Sequence, residues 1–209
     1  MQQSEQADPR AAFILTNASR LIIVATRCVW SFGAAEGLND ILTSRPDQHG
    51  EWRQPVSVLH RDVLLMAALR VSILLDADPT AVSFQTVYHA LKEPVVQAAI
   101  LQMLEDQRGF DVFSPTRADL IGTYLMTYRE IDWKVHGRLV HLRNLGIAHL
   151  TLDQLKKSIT LAEFRTMVEV VTRLASTMQH LFQTDTAFHG DMVEECRDQV
   201  KRAIDCGPK

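Results

Sequence analysis

Residues 116–143 read TRADLIGTYLMTYREIDWKVHGRLVHLR, and the spacing of their apolar side chains is that of a helix. Ile121, Tyr124, Leu125, Tyr128, Ile131, Val135, Leu139 and Leu142 recur at three- and four-residue steps. Such steps line one face of a helix and would scatter over both faces of a strand. The stretch predicts one continuous helix from Thr116 to about Arg143. Downstream, Leu161, Phe164, Val168, Val171, Ala175, Met178 and Phe182 form a second stripe, opened by the capping-box pair Thr160 and Glu163. Upstream, Asp8-Pro9 suits the start of a long helix to Ser44, which Gly33 and Gly37 are expected to bend or break. After a loop at Arg45 to Gly50, a helix from Val56 to Leu75 is apolar almost all round in its middle, as if buried against several neighbours. It stops at Asp76 to Pro79. Ser83 reads as the N-cap of a short helix to Leu91, Pro94 opens another to about Gln107, and Met192 to Ile204 make a charged amphipathic helix. Strict alternation never persists, and no Asn-Gly or Asp-Gly turn occurs. The expected fold is all-α: a bundle of long antiparallel helices with short peripheral ones.

A length of 209 residues, 46% of them apolar, suits one domain over residues 9–205, with residues 1–8 and 206–209 as disordered tails. The net charge of -3 exerts no global pull on nucleic acid, so any such contact must come from a local patch. Cys28, Cys196 and Cys206 include no Cys-x-x-Cys pair, which argues for reduced thiols rather than a disulfide framework or a zinc site. The first eight residues lack the basic and apolar regions of a signal peptide. The longest unbroken apolar run, Val63 to Leu69, is too short to span a bilayer. A cytoplasmic protein without membrane contact, metal or cofactor is expected.

The chemistry concentrates in Arg143-Asn144-Leu145-Gly146-Ile147-Ala148-His149. On one ideal helix Arg129, Asp132, His136 and Arg143 share a polar stripe, and Gly146 is expected to loosen the helix end before His149. Arg143 offers a planar fork of donors to phosphate oxygens, Asn144 can orient a phosphate or hydroxyl, and His149 can exchange protons near neutral pH. These groups suit metal-independent RNA cleavage by the ribose 2′-hydroxyl, with His136 and Asp132 as supporting residues. Simpler roles exist for each. Arg143 and His149 also complement a helix dipole, Asn144 suits a C-cap, and Asp132 suits a surface pair with His136 or Arg129. Trp30, Trp52 and Trp133 read as packing residues before base-stacking ones, and Glu194, Glu195 and Asp198 as a solvated face before a metal site.

Arg143-Asn144-x4-His149, closing a long helix in an all-α chain, resembles the R-x4-6-H motif of the HEPN superfamily (higher eukaryotes and prokaryotes nucleotide-binding). The pairing of Arg143-Asn144 with Ala148-His149 looks most like the abortive-infection Abi U branch. So does the run Leu69 to Asp76 followed by Val82-Ser83-Phe84, and the similarity extends from about Trp52 to Phe182. The resemblance implies a homodimer with motifs face to face, acting on RNA as a ribonuclease in toxin–antitoxin or phage-defence systems, with an antitoxin-like partner. It equally implies a second class: a catalytically inactive HEPN-like module that binds nucleotide, RNA or protein. Leu145, where many relatives carry a polar residue, favours that second class, and Thr151 stands where partner-regulated relatives carry tyrosine.

Overall fold

A computed structural model describes residues 8–44, 51–108, 116–148, 159–184 and 188–205. Among them there is no strand. Eight helices follow in order: α1 Pro9–Ser44, α2 Arg53–Leu74, α3 Phe84–Lys92, α4 Pro94–Arg108, α5 Arg117–Arg129, α6 Trp133–Ala148, α7 Leu161–Phe182 and α8 Met192–Asp205. The all-α expectation holds. Of the expected tails at residues 1–8 and 206–209, only Asp8 is described; residues 1–7, 206–209 and the loop at residues 45–50 lie outside the described residues.

Helix α1 is the spine, packing on α2, α7 and α8, and on α3 and α4, with Arg10 near its start reaching Glu93 at 2.6 Å. Asp8 caps it by accepting the Arg10 N–H at 2.8 Å. By length and composition α1 is the one described helix able to cross a membrane, yet here it buries sixteen positions, Asn17 and Glu36 among them, against its neighbours. Gly33 and Gly37 do not break it. They are where α8 comes close: a Cβ on Gly37 would lie 2.7 Å from the Arg197 carbonyl oxygen, and one on Gly33 would fall on that of Val193. Arg197 and Lys201 then clamp α8 to Asp40 at 2.6 and 3.4 Å.

The single helix expected over residues 116–143 is two. Helix α5 starts with a capping box between Thr116 and Asp119 and ends at Glu130. Asp132 begins α6 by accepting the backbone N–H of Lys134 at 2.8 Å and of Val135 at 3.1 Å. A side chain that competes for backbone donors favours a helix start over a helix interior. Buried Ile131 carries the apolar stripe across the break, so the periodicity persists while the axis is interrupted. The break has a packing consequence. Helix α5 lies on α7 and α3, whereas α6 lies chiefly on α2.

Helix α7 has the expected Thr160–Glu163 capping box, and Glu163 also holds Arg138 of α6 at 2.6 Å. The core joins α1 to α7 through the edge-to-face pair Phe32–Phe164, 5.0 Å between ring centres, and α5 to α3 through the Tyr124 hydroxyl donating to the Phe84 carbonyl at 2.9 Å. Helix α2 is less enclosed than its composition suggests. Only Ala67, Ala68, Val71, Ser72 and Leu74 are buried, and Val58, Leu59, Met66 and Ile73 stand exposed, because α1 and α6 cover its inner face alone.

Candidate functional site

Of the expected catalytic residues, Arg143 and Asn144 lie on α6, and His149 lies outside the described residues. Gly146 does not loosen the helix as expected, since α6 runs through it to Ala148. Arg143 is half-buried and Asn144 exposed, and the Arg143 Nε donates to the Asn144 Oδ1 at 3.0 Å. That bond fixes the guanidinium plane through one donor and leaves the two terminal nitrogens for another acceptor. Among the described residues Arg143 has no carboxylate partner.

The supporting residues separate. Asp132 is an N-cap, its carboxylate committed to the backbone of α6 rather than to His136. Arg129 belongs to α5, so the expected stripe of four polar residues is divided between two helices. His136 stays on α6 with Arg143, two turns earlier. It is half-buried, its ring edge-to-face with Trp133 at 5.4 Å, and its Nε2 has no hydrogen-bond partner. Burial pushes its pKa below the usual histidine value, the nearby Arg143 charge pushes the same way, and Asp76 pulls it back up. The imidazole is neutral at physiological pH, which suits a packing or orienting group better than a cation for phosphate.

Two features were not foreseen. Asp76, just beyond α2, enters the electrostatics of His136 because α2 and α6 pack together, and it also lines a cavity of about 400 Å³ beside α1 and α3. The second is a row of aromatic rings. Tyr88 of α3 stacks on Tyr128 of α5 with ring centres 4.0 Å apart. Tyr128 meets Trp133 at 5.8 Å, and Lys92 places its ammonium 5.5 Å from the Tyr88 ring centre. Trp133 packs on Tyr128 and His136, as expected, and is still 45% exposed. Tyr128 and Trp133 flank the α5–α6 break, and the sequence signal was the Asp132 cap that lies between them.

Elsewhere the titratable groups are structural. Burial pushes the Cys28 thiol up to about 12, far from the reactive range. Glu36 is 2% exposed and pairs with Arg165 at 2.5 Å, with its pKa raised by burial against the pull of Arg165 and Arg197. No group of three or more His, Cys, Asp or Glu side chains among the described residues could hold a metal ion. Comparison with models of known families, with curated proteins and with solved structures finds no match to this chain.

Proposed function

We propose that this chain is a metal-independent endoribonuclease of the HEPN type, acting as a homodimer in a toxin or phage-defence system of the cytoplasm. The observation that carries the reading is the Arg143–Asn144 pair: a guanidinium oriented by a neighbouring carboxamide, on a helix of an all-α bundle, without a carboxylate partner among the described residues. An oriented guanidinium with free terminal donors is a phosphate grip. Arg143 holds two oxygens of the scissile phosphate, and Asn144 keeps the guanidinium in plane. The ribose 2′-oxygen attacks phosphorus and the bond to the 5′-oxygen breaks, leaving a 2′,3′-cyclic phosphate and a 5′-hydroxyl. One imidazole must take the 2′-hydroxyl proton while another group protonates the departing oxygen. His149 from each of two copies divides that work, which is why the reading requires a two-fold dimer.

The test uses a labelled single-stranded RNA in the presence of a chelator. The parent chain cleaves it to cyclic-phosphate ends, while Arg143→Ala and His149→Ala do not. Equal cleavage by the His149→Ala chain removes that residue from the mechanism, and a monomer by sedimentation removes the division of labour.

A second reading, a catalytically inactive HEPN-like module that binds nucleotide, RNA or protein, is favoured by the aromatic row ending at Trp133, which supplies affinity without proton transfer. RNA bound but left intact in the same assay selects it.

A further inference from the structure

Helix α6 carries more on its outer face than the Arg143–Asn144 pair. At 100° per residue, Trp133, His136, Gly137, Val140, Arg143 and Asn144 fall within an arc of about 120°. Trp133 opens the helix and Arg143 lies ten residues on, about 15 Å along the axis at 1.5 Å per residue. Between them Gly137 presents bare backbone: a Cβ built there would meet nothing within 4 Å, so no packing neighbour among the described residues accounts for a residue that weakens a helix interior.

Trp133 itself is half open to solvent while its inner side is braced by Tyr128 at 5.8 Å and His136 at 5.4 Å. A braced, half-exposed indole loses little freedom when a second flat ring lies on it. The neighbourhood is also the right sign. Arg129 and Lys134 on either side of the break, and Lys92 over Tyr88, have no carboxylate partner among the described residues. Of the carboxylates at the break, Glu130 is neutralised by Arg173 at 2.5 Å, and Asp132 is engaged by the backbone N–H groups of Lys134 and Val135. Trp30 makes a natural control, because it is 47% exposed on α1 yet has no ring contact among those of the described residues.

We infer that Trp133 is a base-stacking subsite for single-stranded RNA, and that the strand runs along α6 from this indole, over Gly137, to the phosphate grip at Arg143 and Asn144. The inference rests on the RNA-directed reading above and adds the residue that holds a base away from the scissile bond. Stacking on an aromatic ring tolerates any base, since each has a π face, so this subsite gives affinity for unpaired RNA rather than sequence choice. A duplex, whose bases are already stacked, is excluded from it.

The probe is a fluorescein-labelled single-stranded oligonucleotide with 2′-O-methyl riboses, which keeps bases and phosphates and has no hydroxyl to attack. Binding is followed by anisotropy over a range of salt. Trp133→Ala weakens binding roughly tenfold, as expected for one lost stack, while Trp133→Phe stays within about threefold of the parent. Trp30→Ala changes nothing. The salt dependence separates roles: Trp133→Ala leaves its slope unchanged, whereas Arg143→Ala makes it shallower. A chain carrying Trp30→Phe and Trp52→Phe, with Trp133 as its only indole, shows quenching on binding, a readout that does not depend on any truncation folding.

Parent-like affinity of Trp133→Ala together with an unquenched Trp133 overturns the subsite. If the parent also cleaves RNA in that case, the nuclease reading survives without it. Weakened binding by Trp133→Ala with no cleavage by the parent leaves the subsite standing and removes the nuclease. A parent chain that does not bind the oligonucleotide overturns the subsite outright.

Discussion

Along the seam of α1 and α8 a helical glycine is surrounded by backbone, and a Cβ on Gly37 would come 3.1 Å from the Val200 Cβ as well as 2.7 Å from the Arg197 carbonyl oxygen. On α6 a Cβ on Gly137 would enter open space. The residue type is the same and so is the intrinsic cost to the helix, about 1 kcal/mol relative to alanine. At the seam the cost is offset by what close approach allows: the Cys196 thiol donating to the Trp30 carbonyl at 3.2 Å, and Arg197 reaching Asp40. On α6 nothing within the described chain offsets it. Where packing explains a locally unfavourable residue, a structural role is sufficient. Where it does not, as also for the half-exposed Trp133 braced by Tyr128 and His136, a ligand is the better explanation.

The largest expected effect breaks the first half of that contrast. Gly33→Ala drives a methyl group into the Val193 carbonyl of α8, and neither helix backbone can yield without opening the seam. Overpacking of this kind costs on the order of 3 kcal/mol, which lowers Tm by roughly 10 °C for a chain of this size. A melting temperature at or above that of the parent would show that α8 is not seated where the structure has it.

Gly137→Ala has a smaller effect of opposite sign. With no neighbour to meet, the added Cβ raises stability by about 1 kcal/mol, seen as a Tm higher by about 2–4 °C in the same melts. Destabilisation would reveal a neighbour or backbone conformation that forbids a side chain there. It would also withdraw Gly137 from the strand path along α6.

How much of this was readable in advance divides along the same line. The helices were legible because burial on one face writes a three- and four-residue period into the chain, and Thr160–Glu163 announced the start of α7. The α5–α6 break was not, because Ile131 keeps the period across it, although Asp132 held the signal of a helix start. Gly33 and Gly37, four apart and therefore on one face, were legible as small residues but not as the seat of α8, whose partner lies some 160 positions away in the chain. At the site, Arg143 and Asn144 were legible as a local pair. The aromatic row was not, since Tyr88, Tyr128 and Trp133 come from three helices and meet only through tertiary packing. Asp76 reaches His136 by the same route.

The smallest effect concerns Glu36, the one charged group on the buried face of α1, placed between the two seam glycines and Arg165. Burial raises its pKa above the ordinary 4.5, with Arg165 and Arg197 opposing and Glu194 adding to the rise. The folded chain thus holds this proton more tightly than the unfolded chain does. Stability contributed by the protonated carboxyl is fully present below 4.5 and is lost as pH climbs through the higher folded value. Glutamine keeps the shape and cannot ionise, so Glu36→Gln and the parent differ least at acid pH. As pH climbs above 4.5 the parent falls progressively behind in Tm, and the gap stops growing once the carboxyl has ionised in the folded chain as well. A gap that widens in the other direction means that the ion pair with Arg165, whose outer side is in solvent, outweighs desolvation. The seam would then owe part of its stability to charge as well as to close packing.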